Sequence, residues 1–199
     1  FIERIDSWLQ HRYPDRVLCP VLRREEGLAE KVVQIPPIVR PEAQPSDATG
    51  EEVVVITGGS GLGVMDIDLR AVTAPVVTFG TPLAHVPPHA RQMGFTLGAL
   101  DAMRRAKVLV VQGGFSSVSE AVALRRPTVV VPILGHAEQH INARIFEELG
   151  LGLAASGPQA GAKVNDLLAR HAEFAERCRA HTVSTDGAPA AAQALLEMI

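Results

Sequence analysis

The chain has 199 residues, of which 47% are hydrophobic and only 4% aromatic, so it can build one sizeable core from mainly aliphatic side chains. A formal net charge of -3 argues against a nucleic-acid-binding scaffold, for which a concentrated basic face is expected. The two cysteines have no Cys-x-x-Cys partner and indicate neither a zinc site nor a redox pair, and no apolar run approaches the length of a membrane span.

The first part of the chain is predicted to lead into a larger domain. Apolar residues at helical spacing predict a short helix over 1–10, and residues 17–21 and 31–35 are strand candidates. Several prolines then predict a stiff linker over 36–51. Because the sequence starts at Phe1 rather than at a methionine, we expect more protein to precede it.

We therefore divide the chain into residues 1–51, the end of an N-terminal domain with its linker, and residues 52–199, one further domain. In the second part strands are predicted at 53–57, 75–80, 108–111, 128–132 and 152–155. Helical segments are predicted at 99–105, from Ser117, at 142–149, 163–179 and 189–198, and an irregular loop at 81–93. This alternation predicts an α/β, Rossmann-like parallel sheet with helices on both faces.

Two glycine turns, each placed between a strand and a helix, are the main functional signal. The first is Gly58-Gly-Ser-Gly-Leu-Gly63 and the second is Gln112-Gly113-Gly114. Glycine lets the backbone turn tightly and approach a ligand, and the helix that follows directs free N–H groups and its positive dipole end toward the turn. Both turns are therefore predicted to hold an anion.

The common nucleotide fingerprints do not fit these turns. The first nearly matches the dinucleotide pattern, but Val64 takes the place of its last glycine, and no acidic residue ends the second strand. A phosphate-binding Gly-Lys-Ser/Thr sequence is absent, and a serine-hydrolase elbow fails because Leu62 stands where its glycine is required. The pair His136 and His140 has helical spacing, but it is read as surface histidine rather than as a metal site.

From Val53 to Gly152 the chain resembles the C-terminal, donor-binding domain of a GT-B glycosyltransferase, in particular the family of the peptidoglycan N-acetylglucosaminyl transferase. The resemblance rests on a strand followed by Gln112-Gly-Gly-Phe-Ser-Ser-Val-Ser-Glu-Ala121, then a strand, a proline and Glu138-Gln139. Many members carry histidine where this chain has Gln112, which weakens a plant-type or macrolide-type assignment more than it weakens the fold.

The resemblance implies a role for each matching residue. Glu120 matches the glutamate that binds both ribose hydroxyls, Glu138 and Gln139 match the residues that hold the sugar, and Phe95 and Thr96 fall where the base is bound. The implied diphosphate ligands are Gly58, Gly59, Ser60, Gln112, Gly113, Gly114, Ser116 and Ser117.

Simpler interpretations of the same residues stay open at this point. Ser117-x-x-Glu120 is also a capping box, in which the two side chains satisfy the first N–H groups of a helix. An isolated aromatic residue such as Phe95 is commonly part of a core.

The implied activity is transfer of a hexose-type sugar from a UDP-sugar to an acceptor hydroxyl, with this chain as the donor-binding half and inactive alone. A glutamate for two ribose hydroxyls favours UDP over dTDP. No cofactor and no tightly bound metal are expected, and the catalytic base remains unassigned because it is expected in the absent N-terminal domain.

The partners that the resemblance implies lie outside this chain. The acceptor is expected to bind a missing N-terminal domain or a separate subunit, which could also contact the membrane peripherally, and the protein is expected to be cytoplasmic, at the inner membrane face. Two alternatives remain: a nucleotide-sugar hydrolase or 2-epimerase, and a non-catalytic nucleotide-sugar-binding subunit.

Overall fold

The computed structural model describes residues 12–58, 66–182 and 184–198, so the predicted helix over 1–10 lies outside the described residues. The described strands are β1 (Val17–Pro20), β2 (Val32–Ile35), β3 (Val53–Ile56), β4 (Val76–Phe79), β5 (Arg91–Gln92), β6 (Val108–Val111), β7 (Thr128–Val130) and β8 (Gly152–Ala154). The described helices are α1 (Ala99–Arg105), α2 (Phe115–Ala123), α3 (Ala137–Glu148), α4 (Ala160–Ala169), α5 (His171–Ala180) and α6 (Gly187–Leu196). None of these helices is long and apolar enough to cross a membrane.

The described residues form two compact units, the first made from 12–39 with 184–198 and the second from 40–182. In the first unit β1 and β2 pair in parallel, and α6 packs against both strands. The start of α6 packs against the backbone of the segment that follows β2, where the Gly187 N–H donates to the Pro37 carbonyl oxygen at 3.1 Å. A side chain at Gly187 would meet the Pro36 carbonyl oxygen at 2.1 Å, so this approach requires glycine.

The second compact unit begins at Arg40, whereas the sequence suggests a boundary between residues 51 and 52. Much of the proline-rich segment belongs to the second unit because the buried Arg126 guanidinium binds it there. Nη2 of Arg126 donates to the carbonyl oxygens of Ser46 and Ala48, at 2.6 and 2.9 Å, and Nη1 donates to Thr49 Oγ1 at 2.8 Å. The division of the chain between two domains of a longer protein stays a prediction.

The second unit is built on a six-stranded sheet with the order β5-β4-β3-β6-β7-β8, in which every pairing is parallel. The central strands β3 and β6 consist of β-branched and aliphatic residues and are buried almost throughout, because helices cover both faces of the sheet. One core cluster joins the strands to α4 and α5 through Val164, Leu167 and Phe174. The predicted α/β fold class is confirmed.

The strand order reverses between β3 and β6. The chain runs from β3 outward to β4 and β5, then returns through α1 to β6 on the other side of β3 and continues to β7 and β8. In open parallel sheets a crevice for ligands forms outside the carboxyl ends of the strands at such a reversal. Both glycine turns that the sequence singles out follow the two strands at this reversal.

Four local features differ from the sequence prediction. Strand β5 lies inside the predicted loop 81–93, where the pairing of Arg91 and Gln92 with β4 overrides a short and exposed sequence. Helix α2 begins at Phe115, two residues earlier than predicted, and α3 begins at Ala137, five residues earlier. The segment 163–179 is two helices, because Arg170 leaves helical geometry with φ -105° and ψ 20°.

Candidate functional site

The two glycine turns are joined by a hydrogen bond at the reversal of strand order. The Gly58 N–H, just after β3, donates to Oε1 of Gln112, just after β6. Gly58 also accepts a hydrogen bond from Thr81 Oγ1 at 3.0 Å, which ties the end of β4 to the same place. Gln112 therefore holds Gly58, the first residue of that turn, through its side-chain oxygen. Gly59 and Ser60, the other predicted residues of this turn, lie outside the described residues.

Gly113 forms the tight part of the second turn and packs against the start of α3. Its φ of +89° lies in the left-handed region that favours glycine. An added Cβ would meet the Gln139 carbonyl oxygen at 2.9 Å and a methyl group of Val130 at 3.2 Å. The turn thus has no room for a side chain at Gly113, whereas no atom of the described part of the chain lies within 4 Å of a Cβ added at Gly114.

Gly114 is the N-cap of α2, so the free end of this helix opens directly from the glycine turn. Among the residues that the structure describes, no side chain caps the helix, and the first turn of the helix contains no acidic residue. The first N–H groups of a helix lack intrahelical acceptors and, with the helix dipole, attract an anion. Ser116 and Ser117 lie in this first turn and add hydroxyl groups beside the N–H groups.

The position of Gly114 also decides the alternative interpretation of Ser117 and Glu120 as a capping box. A capping box needs serine at the N-cap, but Ser117 is the third residue of α2. Glu120 lies one turn farther along the helix than a capping glutamate. The capping-box interpretation is therefore wrong, because the helix starts earlier than its sequence pattern indicates.

Glu120 forms a two-point ion pair with Arg40, a residue that the sequence analysis assigned no role. Arg40 Nε donates to Oε1 of Glu120 at 2.6 Å, and Nη2 donates to Oε2 at 2.8 Å. The Glu120 side chain is 13% exposed, whereas that of Arg40 is 55% exposed. These hydrogen bonds, together with the charge of Glu120, raise the pKa of the Arg40 guanidinium above its usual value.

The predicted sugar-binding pair lies in the first turn of α3, which faces the second glycine turn. Oε1 of Gln139 accepts the Ile133 N–H at 2.9 Å, so the side chain closes the loop between β7 and α3. The buried Asn142 side chain donates to the Gly113 carbonyl oxygen at 2.9 Å and to Oε1 of Glu138 at 3.4 Å. Asn142 therefore links the glycine turn to the start of α3, a positioning role that sequence reasoning missed.

The predicted base-binding residues Phe95 and Thr96 follow the short edge strand β5. Phe95 is 71% exposed, so the interpretation of this ring as part of the core is wrong. The segment that carries it is fixed to the end of β4, because the Gly80 N–H donates to the Gly94 carbonyl oxygen at 2.8 Å. The position after β5 places both residues at the carboxyl edge of the sheet, the edge that carries the glycine turns.

The histidine pair has no metal-binding geometry around it. His136 is the N-cap of α3, and His140 lies one turn into the helix. No group of three or more histidine, cysteine, aspartate or glutamate side chains suitable for a metal ion occurs within the described ranges.

Comparison with known proteins points to one family. Residues 20–171 match the sequence profile of the family described as Glycosyl transferase family 1. An uncharacterized glycosyltransferase of Methanopyrus kandleri is 29% identical over 146 residues, which cover 68% of this chain and 40% of that protein. The chain thus spans less than half the length of this relative.

Solved structures show the same fold. The glycosyltransferase of kitacinnamycin superposes with a TM-score of 0.62 at 21% identity, over 89% of this chain and 55% of that one. The MurG protein of Acinetobacter baumannii superposes with a TM-score of 0.63 at 16% identity, over 98% of this chain and 63% of that one. The second unit therefore has the parallel-sheet architecture of one half of a GT-B fold.

Proposed function

The chain belongs to glycosyl transferase family 1, and from this we propose that it is the donor-binding half of a glycosyltransferase that moves a sugar from a UDP-sugar to an acceptor hydroxyl. The observation that carries the proposal is the uncapped start of α2 beside two joined glycine turns, with Glu120 one turn farther along the helix. This arrangement offers N–H groups for a diphosphate and, farther along the same helix, a carboxylate for a ribose.

The diphosphate would bind at the start of α2. Within the described residues no atom lies within 4 Å of a Cβ added at Gly114, so the phosphates can approach the backbone N–H groups of the first turn. The hydroxyl groups of Ser116 and Ser117 would add donors. When the bond between the sugar and UDP breaks, negative charge develops on the leaving diphosphate, and these fixed N–H dipoles stabilise it without a metal ion.

The ribose would bind Glu120 without displacing Arg40. A carboxylate offers about four lone-pair sites, and the two-point contact with Arg40 uses one on each oxygen. One further site on each oxygen can accept a ribose hydroxyl. Arg40 thereby fixes the plane of the carboxylate, and hydrogen bonds to a carboxylate are stronger than those between neutral groups. Two ribose hydroxyls require a ribonucleotide, so we expect UDP to bind better than dTDP.

The sugar would bind at the start of α3 through two different groups. The Ile133 N–H already occupies Oε1 of Gln139, which leaves its Nε2 as a donor toward a sugar oxygen. Glu138 is exposed and has acceptor capacity beyond its long contact with Asn142. A donor and an acceptor side by side suit adjacent sugar hydroxyls, each of which can donate and accept. Phe95 and Thr96 remain the proposed contacts for the base.

Acceptor activation is proposed to come from outside this chain. We expect the base that deprotonates the acceptor to lie on the N-terminal domain or on a separate subunit. Peripheral contact with a membrane and a cytoplasmic location at its inner face are proposals of the same kind. This chain alone is expected to bind a UDP-sugar without transferring its sugar.

The proposal is tested by isothermal titration of this chain with UDP, dTDP and GDP and with UDP-glucose and UDP-N-acetylglucosamine. We expect UDP and at least one UDP-sugar to bind, and dTDP to bind at least tenfold more weakly. Absence of UDP binding, or equal affinities for UDP and dTDP, would contradict the proposal. Incubation of a longer, two-domain protein with a UDP-sugar alone separates the alternatives, because rapid release of free sugar or of an epimer indicates the hydrolase or epimerase.

A further inference from the structure

A cavity of about 610 Å³ lies within the second unit, between α3 and the segment that follows β8. Its volume falls in the range of about 300–1,000 Å³ that is typical of sites for drug-sized ligands. Val131, Ala143 and Ala155 are buried residues of its lining, and Ile133, Leu134 and Ala154 line its more open parts. None of these residues belongs to the predicted nucleotide-binding set.

The cavity lies beside the loop and the helix start that carry the proposed sugar site. Ile133 lines it and also donates its N–H to the side chain of Gln139. His140, the next residue of α3, lines the cavity as well. The cavity also adjoins the carboxyl ends of β7 and β8, the same edge of the sheet that carries the glycine turns. A molecule in this cavity would thus lie next to a sugar held by Glu138 and Gln139.

The chemistry of the lining selects an uncharged, mainly apolar ligand. The charged side chains at its border are already engaged, since Glu147 accepts the Ala154 N–H at 3.1 Å and Arg144 pairs with Glu148 at 3.2 Å. Oδ1 of Asp66 lies 3.6 Å from Nε2 of His85, so this carboxylate also has a neighbouring polar group. Most of the other lining residues are aliphatic, and Leu134 is 92% exposed at the border, which extends the apolar surface outward. Covering such a surface is favourable for an apolar ligand.

We propose that this cavity binds the apolar body of the acceptor, an aromatic or aliphatic compound with a free hydroxyl group. The inference rests on the proposed function. The imidazole of His140 provides a hydrogen-bond partner that can orient the hydroxyl toward the neighbouring sugar site. This assignment gives the donor-binding half a share in acceptor selection, while the base that starts the reaction stays on the other half.

The test uses 2-naphthol as a probe, because it combines an apolar body with one hydroxyl and is fluorescent. We expect this chain to bind it with a sub-millimolar dissociation constant in a fluorescence titration. The variant Ala154→Trp places an indole at the lining and should weaken binding at least tenfold. Ile141→Trp adds the same group to an exposed position of α3 that does not line the cavity, so it should bind 2-naphthol as the unmodified chain does.

A second cavity variant keeps the test valid if Ala154→Trp fails to fold. Leu134→Glu changes a 92% exposed side chain, so folding should be preserved while a charge enters the apolar border, and 2-naphthol should again bind at least tenfold more weakly. Unchanged binding in both cavity variants, or no binding by the unmodified chain, overturns the inference. So does loss of 2-naphthol binding in a longer, two-domain protein, because the cavity is then covered by the protein itself.

Titration with UDP separates this inference from the proposed function. All three variants should keep the UDP affinity of the unmodified chain, since none of them changes a proposed nucleotide ligand. If UDP binds and 2-naphthol does not, only the cavity assignment fails. If 2-naphthol binds in the cavity and UDP does not bind, the proposed function fails instead.

Discussion

Replacing Glu120 by glutamine gives the sharpest test of the proposed ribose site. The substitution keeps the size of the side chain and removes its charge, so it converts charge-assisted hydrogen bonds to the ribose into neutral ones. It also breaks the two-point ion pair with Arg40. Because Arg40 is 55% exposed, its guanidinium can turn to solvent, and the free energy of unfolding should fall by no more than about 1 kcal/mol.

The expected loss in UDP affinity follows from the weaker hydrogen bonds between the two ribose hydroxyls and the side chain at position 120. A hydrogen bond to a charged group contributes about 1.5–3 kcal/mol, compared with about 0.5–1.5 kcal/mol for a neutral one. Two ribose hydroxyls that lose this difference should together weaken UDP binding by about 2–3 kcal/mol, roughly 30- to 150-fold in dissociation constant. This effect exceeds the expected change in stability, so the two can be separated.

Isothermal titration of UDP and 2′-deoxy-UDP measures the effect. The unmodified chain should prefer UDP by tenfold or more, and Glu120→Gln should largely abolish that preference. Glu138→Gln is the matched control, since it makes the same chemical change in the proposed sugar site and should leave binding of UDP unchanged. If Glu120→Gln keeps both the UDP affinity and the preference for the 2′-hydroxyl, Glu120 does not bind ribose.

Three further predictions concern the stability of the second unit. Gly113→Ala should lower the free energy of unfolding by about 2–3 kcal/mol, because φ is +89° and the added Cβ meets backbone oxygen at 2.9 Å; Gly114→Ala, a control with open space, should change it by less than about 1 kcal/mol in the same urea denaturation. Arg126→Met should cost about 2–4 kcal/mol by thermal denaturation, because carbonyl oxygens on the 46–49 segment lose their charged donor, and an unchanged melting temperature would contradict this role. Burial lowers the pKa of His171, and the nearby charge of Lys107 lowers it further, so the unfolded chain binds a proton at this residue more readily than the folded chain. The free energy of unfolding should therefore fall as the pH drops below about 6.5, and it should fall less in His171→Gln. Identical pH profiles for the two proteins would show that His171 does not cause this loss of stability.

The start of each helix limits what sequence patterns can predict about the site. Periodicity identified α2 and α3, but it placed their starts at Ser117 and Asn142 instead of Phe115 and Ala137. The first turns of these helices contain serine, glutamate, glutamine and histidine, which do not continue an apolar stripe. Packing of Gly113 against the first turn of α3 stabilises helical geometry at residues whose hydrophobic pattern does not predict a helix.

Arg40 and Asn142 show a second limit. Arg40 contacts Glu120 across 80 positions of the sequence, and a single arginine in a proline-rich segment looks like ordinary solvated surface. Asn142 bonds to Gly113 across 29 positions. Only the folded chain reveals such pairs, because a contact between distant residues leaves no periodic signal in one sequence.

The sequence by itself determined the fold class of the second unit and the location of its two glycine turns, which we propose bind the diphosphate. Short unbroken runs of β-branched and aliphatic residues followed by glycine favour strands buried on both faces, and paired glycines between a strand and a helix favour a turn that a ligand can approach. The tertiary structure decided which residues meet. The reversal of strand order brings Gly58 to Gln112, and folding brings Arg40 to Glu120. It also leaves a cavity between α3 and the segment that follows β8. The physical reason is that local propensity acts over a few residues, whereas contacts across a sheet depend on the order in which its strands assemble.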